Sequence, residues 1–69
     1  MEINKQKLRI AMATACMNMD DLAASADVSR NSIAKYLLGL RNPTTKTLGK
    51  IAKALKVPVE SLIDMEGGD

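Results

Sequence analysis

The stretch from Asn18 to Leu37 constrains the fold more than any other part of the chain, because it sets two helix starts close together. It reads Asn18-Met19-Asp20-Asp21-Leu22-Ala23-Ala24-Ser25-Ala26, then Asp27-Val28, then Ser29-Arg30-Asn31-Ser32-Ile33-Ala34-Lys35-Tyr36-Leu37. Asn18 and Ser29 each carry a side-chain acceptor directly before an apolar stripe at helical spacing. Such residues satisfy the orphan N–H groups that open a helix. Leu22, Ala23 and Ala26 form the inward stripe of the first segment, and Ile33, Tyr36 and Leu37 that of the second. Asp20 and Asp21 add negative charge where a helix start is positive. The segment is therefore two short helices joined by a tight turn, with alanines that permit close approach.

The remaining elements follow from the same punctuation. Asn4 is a plausible cap for a first helix to about Ala15, with Leu8, Ala11, Met12 and Ala15 inward. Gly39 supplies a left-handed stop after the third helix, about Ser29 to Leu38. Leu40-Arg41-Asn42-Pro43 then makes a loop, and Thr44 caps a fourth helix whose inner stripe is Leu48, Ile51, Ala52 and Leu55. Pro58, which has no N–H to donate, opens a short fifth helix over Val59-Glu60-Ser61-Leu62-Ile63. No segment has the alternation or β-branched density of a strand. The expected fold is all-α, with five helices in one domain over 1–66 and a flexible tail at 67–69. A chain of 69 residues without disulfides buries only a thin core, here built from Leu, Ile, Val, Met and Ala beside the lone Tyr36.

Charge narrows the function. From Val28 to Val59 the chain carries Arg30, Lys35, Arg41, Lys46, Lys50, Lys53 and Lys56 and no carboxylate, although the formal net charge of the whole is only +2. That distribution points to a nucleic acid. The near absence of aromatics argues against stacking on single strands or RNA loops. There is no His, no Gly-rich phosphate loop and no metal-ligand spacing, so no enzyme, metal, cofactor or small-molecule ligand is expected. Cys16 stands alone, with no residue nearby to activate it. No long apolar run indicates a membrane span or a secretory leader, so the cytoplasm is the expected location.

In a pair of helices joined this way, the first crosses the DNA backbone and the amino-terminal residues of the second enter the major groove. The second of these is the chain's third helix. Arg30 and Lys35 suit guanine, Asn31 suits adenine, and Ser32 suits either, while Ser29 can both cap the helix and meet a phosphate. Ile33 and Tyr36 hold the helix to the core. Lys46, Lys50 and Lys53 form the outer face of the fourth helix, which an ordinary helical domain would carry as a solvated surface.

Residues 8–63 resemble the lambda repressor and Cro (XRE) family of helix-turn-helix regulators. The resemblance rests on Asp21-Leu22-Ala23, Ala26, Val28-Ser29, Ile33, Gly39, Arg41-Asn42-Pro43, Thr47-Leu48, Lys50-Ile51-Ala52, Ala54-Leu55, Val57 and Leu62-Ile63. It implies a compact five-helix lambda-repressor-like domain whose second and third helices form the helix-turn-helix. It also implies base contacts from Arg30, Asn31, Ser32 and Lys35. Phosphate contacts are implied at Asn18 or Met19, and at Arg41, Asn42, Thr44 and Lys46. Family members usually bind two half-sites as a dimer, and the apolar Val59, Leu62, Ile63 and Met65 are the expected homodimer interface.

Three departures from the family pattern involve four positions. Met19 stands where Gln is frequent, and its thioether cannot hydrogen-bond comparably. Asp27 stands where the turn favours Gly, although Asp tolerates left-handed backbone better than most residues. Met12 and Leu37 stand where many members pair a buried Arg with a Glu. Well-packed apolar residues roughly match such a pair in stability, so a Met12–Leu37 contact is expected.

The implied function is that of a sequence-specific double-stranded DNA-binding regulator, expected to be a repressor of a palindromic operator because so short a chain has no room for a sensor or activation domain. Two other readings keep the fold. One is an antitoxin that binds a toxin and represses its own operon; the other is a protein-interaction module that has lost DNA binding, to which Met19 is the one pointer.

Overall fold

Each α-helix starts on the polar residue expected to cap it. The computed structural model describes residues 2–64 and contains α1 (Lys5–Thr14), α2 (Met19–Ala26), α3 (Arg30–Leu38) and α4 (Thr45–Leu55). Asn4 accepts the Lys7 N–H at 2.9 Å, Asn18 that of Asp21 at 2.8 Å, Ser29 that of Ser32 at 3.1 Å and Thr44 that of Thr47 at 3.2 Å. At α2 the bond is reciprocated, because the Asp21 carboxylate accepts the Asn18 N–H at 3.1 Å.

Helix ends are set by left-handed residues. Gly39 closes α3 at φ 77° and Asp27 closes α2 at φ 58°, so aspartate does adopt the turn conformation that glycine would take most easily. The positive φ is what favours glycine at 39, since a β-carbon there would meet only the flexible Lys5 side chain, at 3.1 Å from its Nζ. Cys16 and Lys56 are left-handed as well, at φ 57° and 59°, with no local marker in the sequence.

The inward stripes meet in one core in which Leu8, Leu22, Ile33, Ile51 and Leu62 are fully enclosed. α2 packs on both α3 and α4, and α1 packs on α3. Among the described residues the core encloses no charged side chain, and its one hydroxyl-bearing member is Tyr36. Met12 is buried and Leu37 is half-buried against the same cluster.

The expected fifth helix does not form. Val59–Ser61 is one 3-10 turn, closed by Ser61 N–H to Pro58 O at 2.9 Å and Leu62 N–H to Val59 O at 2.8 Å. So few residues cannot offset the cost of starting an α-helix. The chain then extends as β2 (Ile63–Asp64) antiparallel to β1 (Glu2–Ile3), with Ile3 opposite Ile63 and both side chains in the core. These strands also correct the expectation that none would form. Two residues have no period to detect, and what selects the extended state is the partner across the chain. Asn4 reinforces the closure by donating its N–H to Leu62 O at 2.7 Å and its Nδ2 to Asp64 Oδ1 at 2.8 Å. Lys7 Nζ donates to Ile63 O at 3.0 Å.

Candidate nucleic-acid interface

The candidate surface begins at the first turn of α3. Ile33 and Tyr36 are buried, which fixes the rotation of the helix and turns Arg30, Asn31 and Lys35 outward as exposed side chains. Ser32 and Ala34 are half-buried beside them. The four residues expected to read bases are thus brought together on the outer side of one short helix, held by a core that cannot rotate without losing its packing.

Capping chemistry orients the hydroxyls. Ser29 Oγ accepts the Ser32 N–H and donates its own proton to Ser32 Oγ at 2.9 Å, which leaves the Ser32 hydroxyl proton available to an outside acceptor. α4 repeats the arrangement, with Thr44 Oγ1 donating to Thr47 Oγ1 at 3.0 Å. Ser29 and Thr44 are therefore engaged in their own helices, and Ser32 and Thr47 carry the donors left over. Thr47 was not a candidate from sequence, although the shared spacing of Ser29-Ser32 and Thr44-Thr47 was available as a signal.

The loop after α3 supplies exposed Arg41, Asn42 and Thr44, with exposed Lys46 on the first turn of α4. Asn42 has a structural task that sequence did not announce: its Oδ1 accepts the Ile3 N–H at 3.2 Å, tying the loop to β1. Its amide protons remain for an anion. At α2, Asn18 caps with its oxygen, while Met19 is half-buried and packs against the core. Met19 can offer a phosphate only its backbone N–H.

Among the described residues, Arg30 is the one member of the set paired with a charge. Its Nε lies 2.8 Å from Asp20 Oδ1, joining the starts of α2 and α3, with the two side chains 60% and 72% exposed. An ion pair so open to water contributes about 0–1 kcal/mol to folding. The sequence marks Asp20 only as a helix-start charge, since a pair between separate helices leaves no i, i+4 trace.

The expected interface at the carboxyl end needs correction. Leu62 is fully buried and Ile63 nearly so, both covered by the chain's own core and by the strand pair, which leaves a partner no surface on either. Val59 is half-buried, and Met65 lies outside the described residues, as does the tail at 67–69. Exposed large apolar side chains sit elsewhere, at Ile10, Leu38 and Leu40.

Among the described residues no helix is long and apolar enough to cross a membrane, and no group of His, Cys, Asp and Glu is placed to hold a metal ion. A family model described as helix-turn-helix matches residues 17–62, which takes in α2, α3, α4 and the 3-10 turn. The fold is similar to that of the restriction-modification controller protein C.AhdI from Aeromonas hydrophila, with a TM-score of 0.80 at 24% identity over 86% of this chain and 89% of that one. At that identity the likeness is one of fold. Among curated proteins none matches the chain significantly.

Proposed function

The chain belongs to the XRE-type helix-turn-helix family of DNA-binding transcriptional regulators, which are not enzymes, and from that premise we propose that it is a repressor that occupies a palindromic operator as a homodimer. α3 lies in the major groove, with Arg30, Asn31, Ser32 and Lys35 against base edges. Asn18, the Met19 N–H, Arg41, Asn42 and Lys46 follow the phosphates on either side, and Ser29 and Thr44 act there through the hydroxyls of Ser32 and Thr47, to which they donate. The protein works in the cytoplasm, without metal, cofactor or small-molecule ligand.

One observation carries this reading: the exposed polar face of α3 is followed along the chain by exposed Arg41, Asn42, Thr44 and Lys46, while the opposite face of α3 is locked in the core. Phosphate contacts supply affinity and salt dependence, and contacts to base edges supply selection. Two copies place their α3 helices roughly 34 Å apart, one turn of duplex, which is why the site is a palindrome. Val59 is the described residue of the expected interface that keeps surface for the second copy. Repression follows from occupancy alone, because a dimer seated across a promoter excludes the polymerase without a further surface.

Selection of bound duplexes from a random pool, followed by sequencing, tests the proposal. A palindromic motif whose binding falls steeply with salt is the expected result. An unenriched pool with no salt-dependent association would contradict it and favour the interaction-module reading, whose one pointer is Met19, packed inward against the core.

A further inference from the structure

We propose that Asp20 is a positioning residue that sets how sharply Arg30 discriminates its base, an assignment that rests on the reading of α3 as the base-contacting helix. Asp20 and Asp21 are neighbours with different engagements. Asp21 completes the cap of α2 through the Asn18 N–H, whereas Asp20 points across to α3 and holds Arg30 Nε at 2.8 Å. It is the one ion pair among the described residues, and it lies inside the proposed interface. Both partners are mostly exposed, so the fold does not depend on it.

The chemistry of the contact gives it a purpose. A guanidinium has five N–H groups, and the bond at Nε leaves the terminal nitrogens with the paired donors that match guanine O6 and N7. An unheld arginine at a helix start swings readily onto the nearest phosphate, which binds any sequence equally. A carboxylate at Nε opposes that in two ways: it fixes the plane of the guanidinium, and it cancels much of the charge that a phosphate would attract. Guanine, presenting two neutral acceptors in a fixed geometry, suffers less from the cancellation than a phosphate does. Asp20 therefore weakens binding to arbitrary duplex more than binding to the correct one. Lys35, with a compact ammonium and no such partner among the described residues, has no equivalent restraint there.

The test compares the wild-type chain with Asp20→Asn, Arg30→Ala and the double variant. Each is titrated against the selected duplex, the same duplex with the Arg30-contacted guanine replaced, and a random duplex, at two salt concentrations. Asp20→Asn is expected to bind random duplex more tightly and to lose about tenfold in discrimination for that guanine. In the Arg30→Ala background the same change is expected to leave discrimination unaltered, an outcome that a general charge effect does not produce. In the free protein, the Arg30 Nε–H resonance should shift on Asp20→Asn while the thermal midpoint stays near that of the wild type.

Equal gains on selected and random duplex would overturn the assignment, as would a loss of discrimination that persists without Arg30, or an unmoved Nε–H resonance. Each of those leaves the DNA reading intact. A wild-type chain that selects no duplex would instead overturn the DNA reading and the assignment with it.

Discussion

Between Asn18 and Leu38 the helix caps are bonds between residues three apart in sequence, whereas at the two ends Asn4 reaches Asp64 and Lys7 reaches Ile63 across separations of 60 and 56 residues. In the central segment each cap lies three positions from its target N–H, and each left-handed stop bonds back no more than four positions. Such a segment announces itself. The terminal closure consists of a 3-10 turn and two-residue strands whose conformations are chosen by contacts that no local window contains. The difference is between chemistry that acts within one helical turn and packing that acts only when the chain is already folded.

Substitutions can break this contrast or sharpen it. Leu62→Ala should cost about 2–5 kcal/mol by urea denaturation, as for any fully enclosed leucine, which would make the closure as much a part of the core as α2. A loss below about 1 kcal/mol would show that the strand pair is peripheral. Asn4→Ala and Asn18→Ala each remove a helix cap, for about 1 kcal/mol. Asn4 also donates to Asp64, so its loss should be the larger and should speed amide exchange at Ile63. Equal costs would mean that the long-range bond adds nothing.

Smaller effects come from the left-handed positions. Lys56→Gly should stabilise the domain by about 1 kcal/mol, because lysine gains nothing in a left-handed backbone that glycine adopts freely. Asp27→Gly should gain less, about 0.5 kcal/mol, since aspartate tolerates that conformation better. Thermal midpoints of the two variants check the order, and a reversed order would mean that Asp27 is strained beyond the ordinary cost of its turn.

The same contrast governs what was readable beforehand. Caps at Asn4, Asn18, Ser29 and Thr44, the stop at Gly39 and the stripes of all four helices were visible because each depends on residues a few places away. The polar face of α3 was visible for the same reason, being the complement of Ile33 and Tyr36. Three features were not. The pairing of Ile3 with Ile63, the tie from Asn42 to Ile3 and the ion pair from Asp20 to Arg30 all join separate elements. Pro58 and the apolar residues after it looked like a helix start with a face for a partner. In the folded chain Leu62 and Ile63 turn inward, so the surplus of apolar residues that pointed to an interface is largely absorbed by the core.

Amide chemical-shift mapping during titration with the selected duplex examines the outer face of α3 directly. The largest changes should fall on Arg30, Asn31, Ser32 and Lys35, with a second group at Arg41–Lys46, and the shifts should reverse on adding salt. Changes centred on the exposed face of α1, or none near α3, would contradict the placement of α3 in the major groove.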